Sequence, residues 1–163
     1  MPRLSYVSLA TPIGDLRLVA SPNGLRRIDL PPAGEPESTW VEESTPILAE
    51  VVRQLTEYFA GDRRTFYLPL EPEGTDFQLS VWKVLRAIPF GQTISYGEQA
   101  RRLGDAKKAR AVGGANGRNP LPIVVPCHRV IGTSGALTGF GGGLPIKEQL
   151  LRHEREVMSC VSR

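Results

Sequence analysis

Hydrophobic positions change period partway along the chain, and that change predicts its architecture. Over the N-terminal residues the period is near two. Leu4-Ser5-Tyr6-Val7-Ser8-Leu9 and Leu16-Arg17-Leu18-Val19-Ala20 roughly alternate, as strands with one covered face do. Pro12-Ile13-Gly14-Asp15 between them is turn chemistry. Pro22-Asn23-Gly24 makes a second turn before Leu25-Arg26-Arg27-Ile28-Asp29-Leu30. Together these runs predict an antiparallel meander. Pro31 to Thr39, rich in Pro and Glu, predicts a loop.

From residue 45 the period lengthens. Leu48, Val51, Val52, Leu55, Tyr58 and Phe59 recur at helical spacing over 45–60, and Gly61 is a natural C-terminal stop. Thr65-Phe66-Tyr67-Leu68 suits one more strand. Pro69 to Gly74 reads as a linker, so a domain boundary is expected there. Thr75 then caps a helix carrying Phe77, Val81, Trp82 and Leu85, ended by Pro89-Phe90-Gly91. Tyr96 to Leu103 predicts a short helix stopped by Gly104. Asp105 caps the next, which runs through Ala109, Arg110 and Val112 towards Asn116. Two short helices joined by a tight Gly turn form a helix-turn-helix. Leu121-Pro122-Ile123-Val124-Val125-Pro126, β-branched between prolines, predicts an extended edge segment. Gly132 to Gly143 is a Gly-rich loop, and Pro145 opens a last helix from Ile146 to about Glu154. The expected fold is α+β. A small N-terminal antiparallel sheet with a helix fills residues 1–70. A mostly helical, winged-helix-like C-terminal domain containing the helix-turn-helix fills 74–163.

Composition narrows the class. With 163 residues, 40% hydrophobic and 23% charged, the chain suits a globular protein of one ordinary or two small domains. No apolar run is long enough to span a bilayer, and the start at Met1-Pro2-Arg3-Leu4 lacks the apolar core of a signal peptide. A cytoplasmic location is the expectation, with no membrane partner. Cys127, Cys160, His128 and His153 lack zinc-ligand spacings, so neither metal nor disulfide is expected. The net charge of +3 is unevenly spread. Residues 31–60 carry six glutamates against Arg53; residues 101–130 carry Arg101, Arg102, Lys107, Lys108, Arg110, Arg118 and Arg129 against Asp105. That asymmetry fits a polyanion partner for the second half, and equally a solvated basic face.

The candidate chemistry centres on Cys127. Most cytosolic thiols are inert and pack as small hydrophobes. Here an apolar run and a proline precede the cysteine, His128 follows it, and Arg129 adds positive charge that favours thiolate. A thiolate is commonly generated by a histidine base held by an acid. Adjacent residues on an extended strand face opposite ways, so His128 can serve Cys127 only if the chain turns there or water bridges them. Glu154 is the natural orienting acid, although a glutamate at a helix end is more often simply solvated.

Pro126-Cys127-His128-Arg129-Val130 resembles the active-site motif of the O6-alkylguanine-DNA alkyltransferase family. Further segments resemble it in order: Gly74-Thr75-Asp76-Phe77-Gln78, Val81-Trp82, Ile88-Pro89-Phe90-Gly91, Ser95-Tyr96-Gly97, Ala109-Arg110-Ala111-Val112-Gly113, Asn119-Pro120, Gly142-Gly143-Leu144 and Leu150-Leu151-Arg152-His153-Glu154. The match covers about 74 to 154; the N-terminal half resembles the family only loosely.

The resemblance implies direct reversal of DNA damage. An alkyl group would move from O6 of guanine to Cys127, once and irreversibly, with O4-alkylthymine left open as a second substrate. His128 would be the base, acting through water. Glu154 would orient it, and Asn119 would tie the helix-turn-helix to the active-site turn. Arg110 would fill the gap left by a flipped base, and Tyr96 would push a backbone phosphate. Ala109, Gly113 and Arg118 would line the DNA face; Val130, Pro122, Phe140 and Gly141 the guanine pocket. No cofactor is implied. The implied partner is double-stranded DNA carrying O6-alkylguanine, bound by a monomer, with cooperative binding left open. Phe140-Gly141 replaces the tyrosine-serine pair of some relatives, and the zinc set of some members has no counterpart here. Alternatives are a silent DNA-binding relative, which would lack the acceptor cysteine, and a Cys-His hydrolase, which would need a base remote in sequence.

Overall fold

The computed structural model describes residues 3–132 and 143–161. The chain divides into two compact units, Met1–Glu73 and Gly74–Arg163.

The first unit is built on β1 (Ser5–Thr11), β2 (Gly14–Ala20) and β3 (Leu25–Asp29), antiparallel in the order β3-β2-β1. Thr11 faces Gly14 across a tight turn. Gly14 has φ +108°, and a Cβ there would stand 2.9 Å from Pro31, so the turn demands glycine. β2 is the central strand and is buried on both faces from Leu16 to Ala20. Arg17 tolerates burial because its guanidinium donates to Asp29 at 3.0 Å and to the carbonyls of Gly34 and Ala33 at 2.7 and 2.8 Å. Helix α1 (Pro46–Phe59) starts at Thr45, whose side chain accepts from the Leu48 amide, and buries Leu48, Val51, Leu55 and Tyr58. Gly61 follows its end with φ +85°.

One expectation here needs correction. Thr65 to Leu68 forms no strand: Gln54 reaches from α1 and takes both backbone groups of Tyr67, at 2.9 and 3.1 Å, in place of a sheet partner. The sheet also gains β4 (Val41–Glu42), parallel to β1, from just beyond the Pro31 to Thr39 loop. Leu25 bonds Pro69 and Glu71 through its backbone at 2.8 Å each, just before the first unit ends at Glu73.

In the second unit α2 (Asp76–Arg86) opens with a complete capping box between Thr75 and Gln78. Strand β5 (Ile94–Ser95) leads into α3 (Tyr96–Leu103), capped by Ser95 and stopped by Gly104 at φ +109°. Asp105 caps a 3₁₀ turn, Ala106–Lys108, rather than the next helix directly; α4 (Ala109–Gly117) follows without a side-chain cap. Gln99 of α3 and Asn116 of α4 exchange buried amide hydrogen bonds at 2.9 and 2.7 Å. Trp82 of α2 donates to the Ala115 carbonyl at 2.9 Å.

Leu121 to Pro126 is not an edge strand. It is a buried, coiled turn in which Ile123 has φ +76° and Val125 donates back to Leu121 at 2.8 Å. Pro120, Pro122 and Pro126 supply no amide protons for a ladder, so the segment satisfies itself locally. β6 (Val130–Ile131) pairs in parallel with β5. Helix α5 (Leu144–Val161) runs well past Glu154, because Arg155-Glu156-Val157-Met158 contains no breaker. Glu154 is therefore a mid-helix residue, not a helix end. No helix is long and apolar enough to cross a membrane among the described residues.

Candidate active site

Pro126 and the prolines before it force the chain to turn, and Cys127–Arg129 form a 3₁₀ turn in which the Arg129 amide donates to the Pro126 carbonyl at 3.0 Å. The turn buries three side chains that a strand would have sent to opposite faces. Cys127 is 7% exposed, His128 0% and Arg129 5%.

Glu154 arrives from α5 and is 1% exposed. Burial alone would raise its pKa, but hydrogen bonds from His128 and Arg129 outweigh that and hold it well below the ordinary 4.5. An ionised carboxylate only accepts. The His128 Nε2–H therefore donates to Glu154 Oε2, at 2.6 Å. That tautomer leaves Nδ1 as the acceptor nitrogen. Nδ1 is buried with no hydrogen-bond partner among the described residues. Burial pulls the His128 pKa down, against the pull of Glu154, so the ring is neutral at neutral pH.

Arg129 does not act as the thiol's cation. Its Nε donates to Glu154 Oε1 at 2.9 Å, one terminal nitrogen to Oε2 at 3.0 Å, and the other to the Ile88 carbonyl at 2.7 Å. The Gly91 amide adds a further donor to Oε1 at 3.0 Å. The cation whose charge favours the Cys127 thiolate is Lys147, which pattern reading of the sequence missed. Lys147 is fully buried, donates to the Val130 carbonyl at 2.6 Å and lies 5.8 Å from the centre of the Tyr96 ring. A signal existed: Lys147 precedes Glu154 by two helical turns, so both lie on the stripe that buries Leu150 and Leu151. A lysine on an apolar stripe is anomalous.

Burial pushes the Cys127 thiol up, while the Asn119 side chain and the Lys147 charge favour thiolate. The resting sulfur is thus a protonated thiol. Asn119, just beyond α4, donates to the Val125 carbonyl at 2.8 Å and accepts from the Leu121 amide at 3.0 Å. It thereby joins the end of the helix-turn-helix to the turn that carries Cys127. Cys127, His128, Glu154, Asn119 and Lys147 form one cluster.

The remaining candidates fall into two groups. Arg110 and Arg118 are exposed, with Arg101, Arg102, Lys107 and Lys108, so six of the seven cations of residues 101–130 face solvent and Arg129 does not. Ala109 is half-buried at the start of α4. The half-buried Tyr96 ring lies against Gly113, where a Cβ would stand 3.6 Å from it. Val130, which follows the cysteine turn, and Pro122 are both buried. Phe140 and Gly141 lie outside the described residues. No group of His, Cys, Asp and Glu that could hold a metal occurs among the described residues.

Residues 76–156 match the family model described as the DNA-binding domain of 6-O-methylguanine DNA methyltransferase. Residues 4–72 match its ribonuclease-like domain. The methylated-DNA–protein-cysteine methyltransferase of Methanosarcina acetivorans is 47% identical, over 91% of this chain and 97% of that protein. The constitutive methylated-DNA–protein-cysteine methyltransferase of Bacillus subtilis is 46% identical, over 92% and 94%. Among solved structures, Mycobacterium tuberculosis OGT in complex with DNA superposes with a TM-score of 0.88 at 44% identity, covering 94% of each chain.

Proposed function

Because the chain belongs to the 6-O-methylguanine DNA methyltransferase family and shares its direct-reversal DNA repair activity, we propose that Cys127 is the alkyl acceptor and that each molecule acts once. The substrate is O6-alkylguanine in double-stranded DNA.

One observation carries this reading: a buried Glu154 fixes His128 with its lone pair on Nδ1, one residue from a buried thiol. The thiol proton passes through a bridging water to Nδ1. The sulfur attacks the alkyl carbon, a C–S bond forms, and the bond from that carbon to O6 breaks. Guanine leaves with the electron pair and regains a proton. Lys147 and Asn119 stabilise the thiolate while it lasts. The thioether product offers water no carbonyl to attack, so the sulfur stays blocked.

O6 lies within the duplex, so the base must rotate out, at a cost of about a few kcal/mol. Arg110, exposed near the start of α4, suits the vacated stack, and Tyr96 suits the neighbouring phosphate. Ala109 and Gly113 let α4 approach a groove closely, and Arg118 adds a phosphate contact. Val130 and Pro122 form pocket walls near the sulfur, with Phe140 and Gly141 assigned to the same pocket. The protein works as a cytoplasmic monomer.

Intact-mass analysis after incubation with O6-methylguanine duplex tests this. Native protein gains one methyl per chain and Cys127→Ala gains none. Methyl transfer to the alanine variant, or repeated turnover by the native chain, refutes the proposal.

A further inference from the structure

We infer that Arg129 is a positioning residue that neutralises Glu154 so that His128 need not, which reserves the imidazole as a neutral proton acceptor. The inference rests on the reading of His128 as the base for Cys127.

A lone buried carboxylate bonded to a histidine draws a proton onto the ring, because an ion pair removes the uncompensated charge. A histidine already protonated has no lone pair left for the thiol proton. In this site the carboxylate is satisfied otherwise. Arg129 bonds both Glu154 oxygens, at 2.9 and 3.0 Å, in the bidentate geometry that planar guanidinium favours. The Gly91 amide adds a neutral donor at 3.0 Å. Arg129 is itself held from two further sides, by the Ile88 carbonyl at 2.7 Å and by the Phe90 ring at 5.6 Å. It therefore cannot swing towards the sulfur without giving up several contacts.

The charged and titratable groups around His128 come from two elements. Its own turn supplies Cys127 and Arg129; α5 supplies Glu154 and Lys147. His153 of α5 packs edge-on against Phe90, the ring beneath Arg129. Among them only Glu154 favours an imidazolium, while Arg129 and Lys147 oppose it. Lys147 is engaged with the Val130 carbonyl, which leaves Arg129, bonded to both Glu154 oxygens, as the counter-charge to the carboxylate.

The chain has only two histidines, so ring nitrogen NMR reads His128 directly, with His128→Gln giving the assignment. In the native protein His128 is neutral at pH 7 with its proton on Nε2. In Arg129→Met, which keeps length and loses charge, its titration and the acid limb of the transfer rate both move up by about one pH unit or more. Arg129→Lys, which keeps the charge, stays near native. A native imidazolium at pH 7 overturns the inference and needs no variant. So does a folded Arg129→Met with both curves unmoved, or an Arg129→Lys that shifts as far as Arg129→Met. Native protein that gains one methyl yet gives any of these results loses this inference and retains the proposed function. No methyl gained removes both.

Discussion

The ammonium of Lys147 donates to the carbonyl oxygen of Val130 at 2.6 Å while its charge favours the Cys127 thiolate. A buried lysine and a buried cysteine stabilise each other's charged forms, since burial opposes both and mutual attraction offsets it. Removing the cation leaves the thiolate without that compensation. Lys147→Met is expected to slow alkyl transfer at pH 7 on the order of tenfold, one pK unit of thiolate fraction. The loss shrinks as pH rises and solution base supplies the thiolate. Single-turnover rates across the pH range check this; a rate unchanged at pH 7 removes Lys147 from the chemistry.

Acid stability follows from the same cluster. Folded His128 holds a proton less readily than an ordinary histidine of pKa 6.5, and folded Glu154 less readily than an ordinary glutamate of pKa 4.5. The unfolded chain thus takes up protons first, so stability falls as pH drops. The decline begins below about 6.5 through His128 and steepens below about 4.5 through Glu154. Melting temperatures measured between pH 8 and pH 3 show this, on the order of several degrees per kcal/mol lost. In Glu154→Gln the lower part of the slope flattens. An equally steep acid slope in that variant contradicts the assignment.

Arg110 is exposed, near the start of α4. Arg110→Ala should slow repair in duplex DNA more than reaction with free O6-benzylguanine, which has no stack to fill. Equal losses on the two substrates remove the finger role. Folding should be unaffected, because exposed substitutions of this kind typically change stability by no more than about 0.5 kcal/mol.

Alkylation should destabilise the protein. The product adds bulk at a residue that is 7% exposed, beside the fully buried Val130 and Lys147. Overpacking typically costs about 1–3 kcal/mol. Calorimetry before and after stoichiometric methylation should show a lower melting temperature for the product. Identical transitions would show that the site absorbs a methyl group freely.

The sequence by itself determined what is decided within a turn or two of chain. The meander β1 to β3, the start of α2 at Thr75 and the stop of α3 at Gly104 all rest on caps, turn glycines and periodicity. These act between neighbours, so they are legible without a fold. The cysteine with its adjacent histidine is legible for the same reason.

Tertiary structure decided everything that depends on which element arrives from elsewhere. Thr65 to Leu68 has strand composition, but Gln54 of α1 reaches Tyr67 before another strand does. Leu121 to Pro126 has the residues of an edge strand, but burial on all sides and missing amide protons make it a turn. Arg129 stands two residues from the sulfur in sequence, yet its charge is spent on Glu154, 25 residues on. Lys147, 20 residues from Cys127, supplies the charge instead. A buried cation goes where acceptors converge on it, because an unpaired charge in the interior is too costly to leave. Convergence of that kind belongs to the packed fold and to no local stretch of sequence.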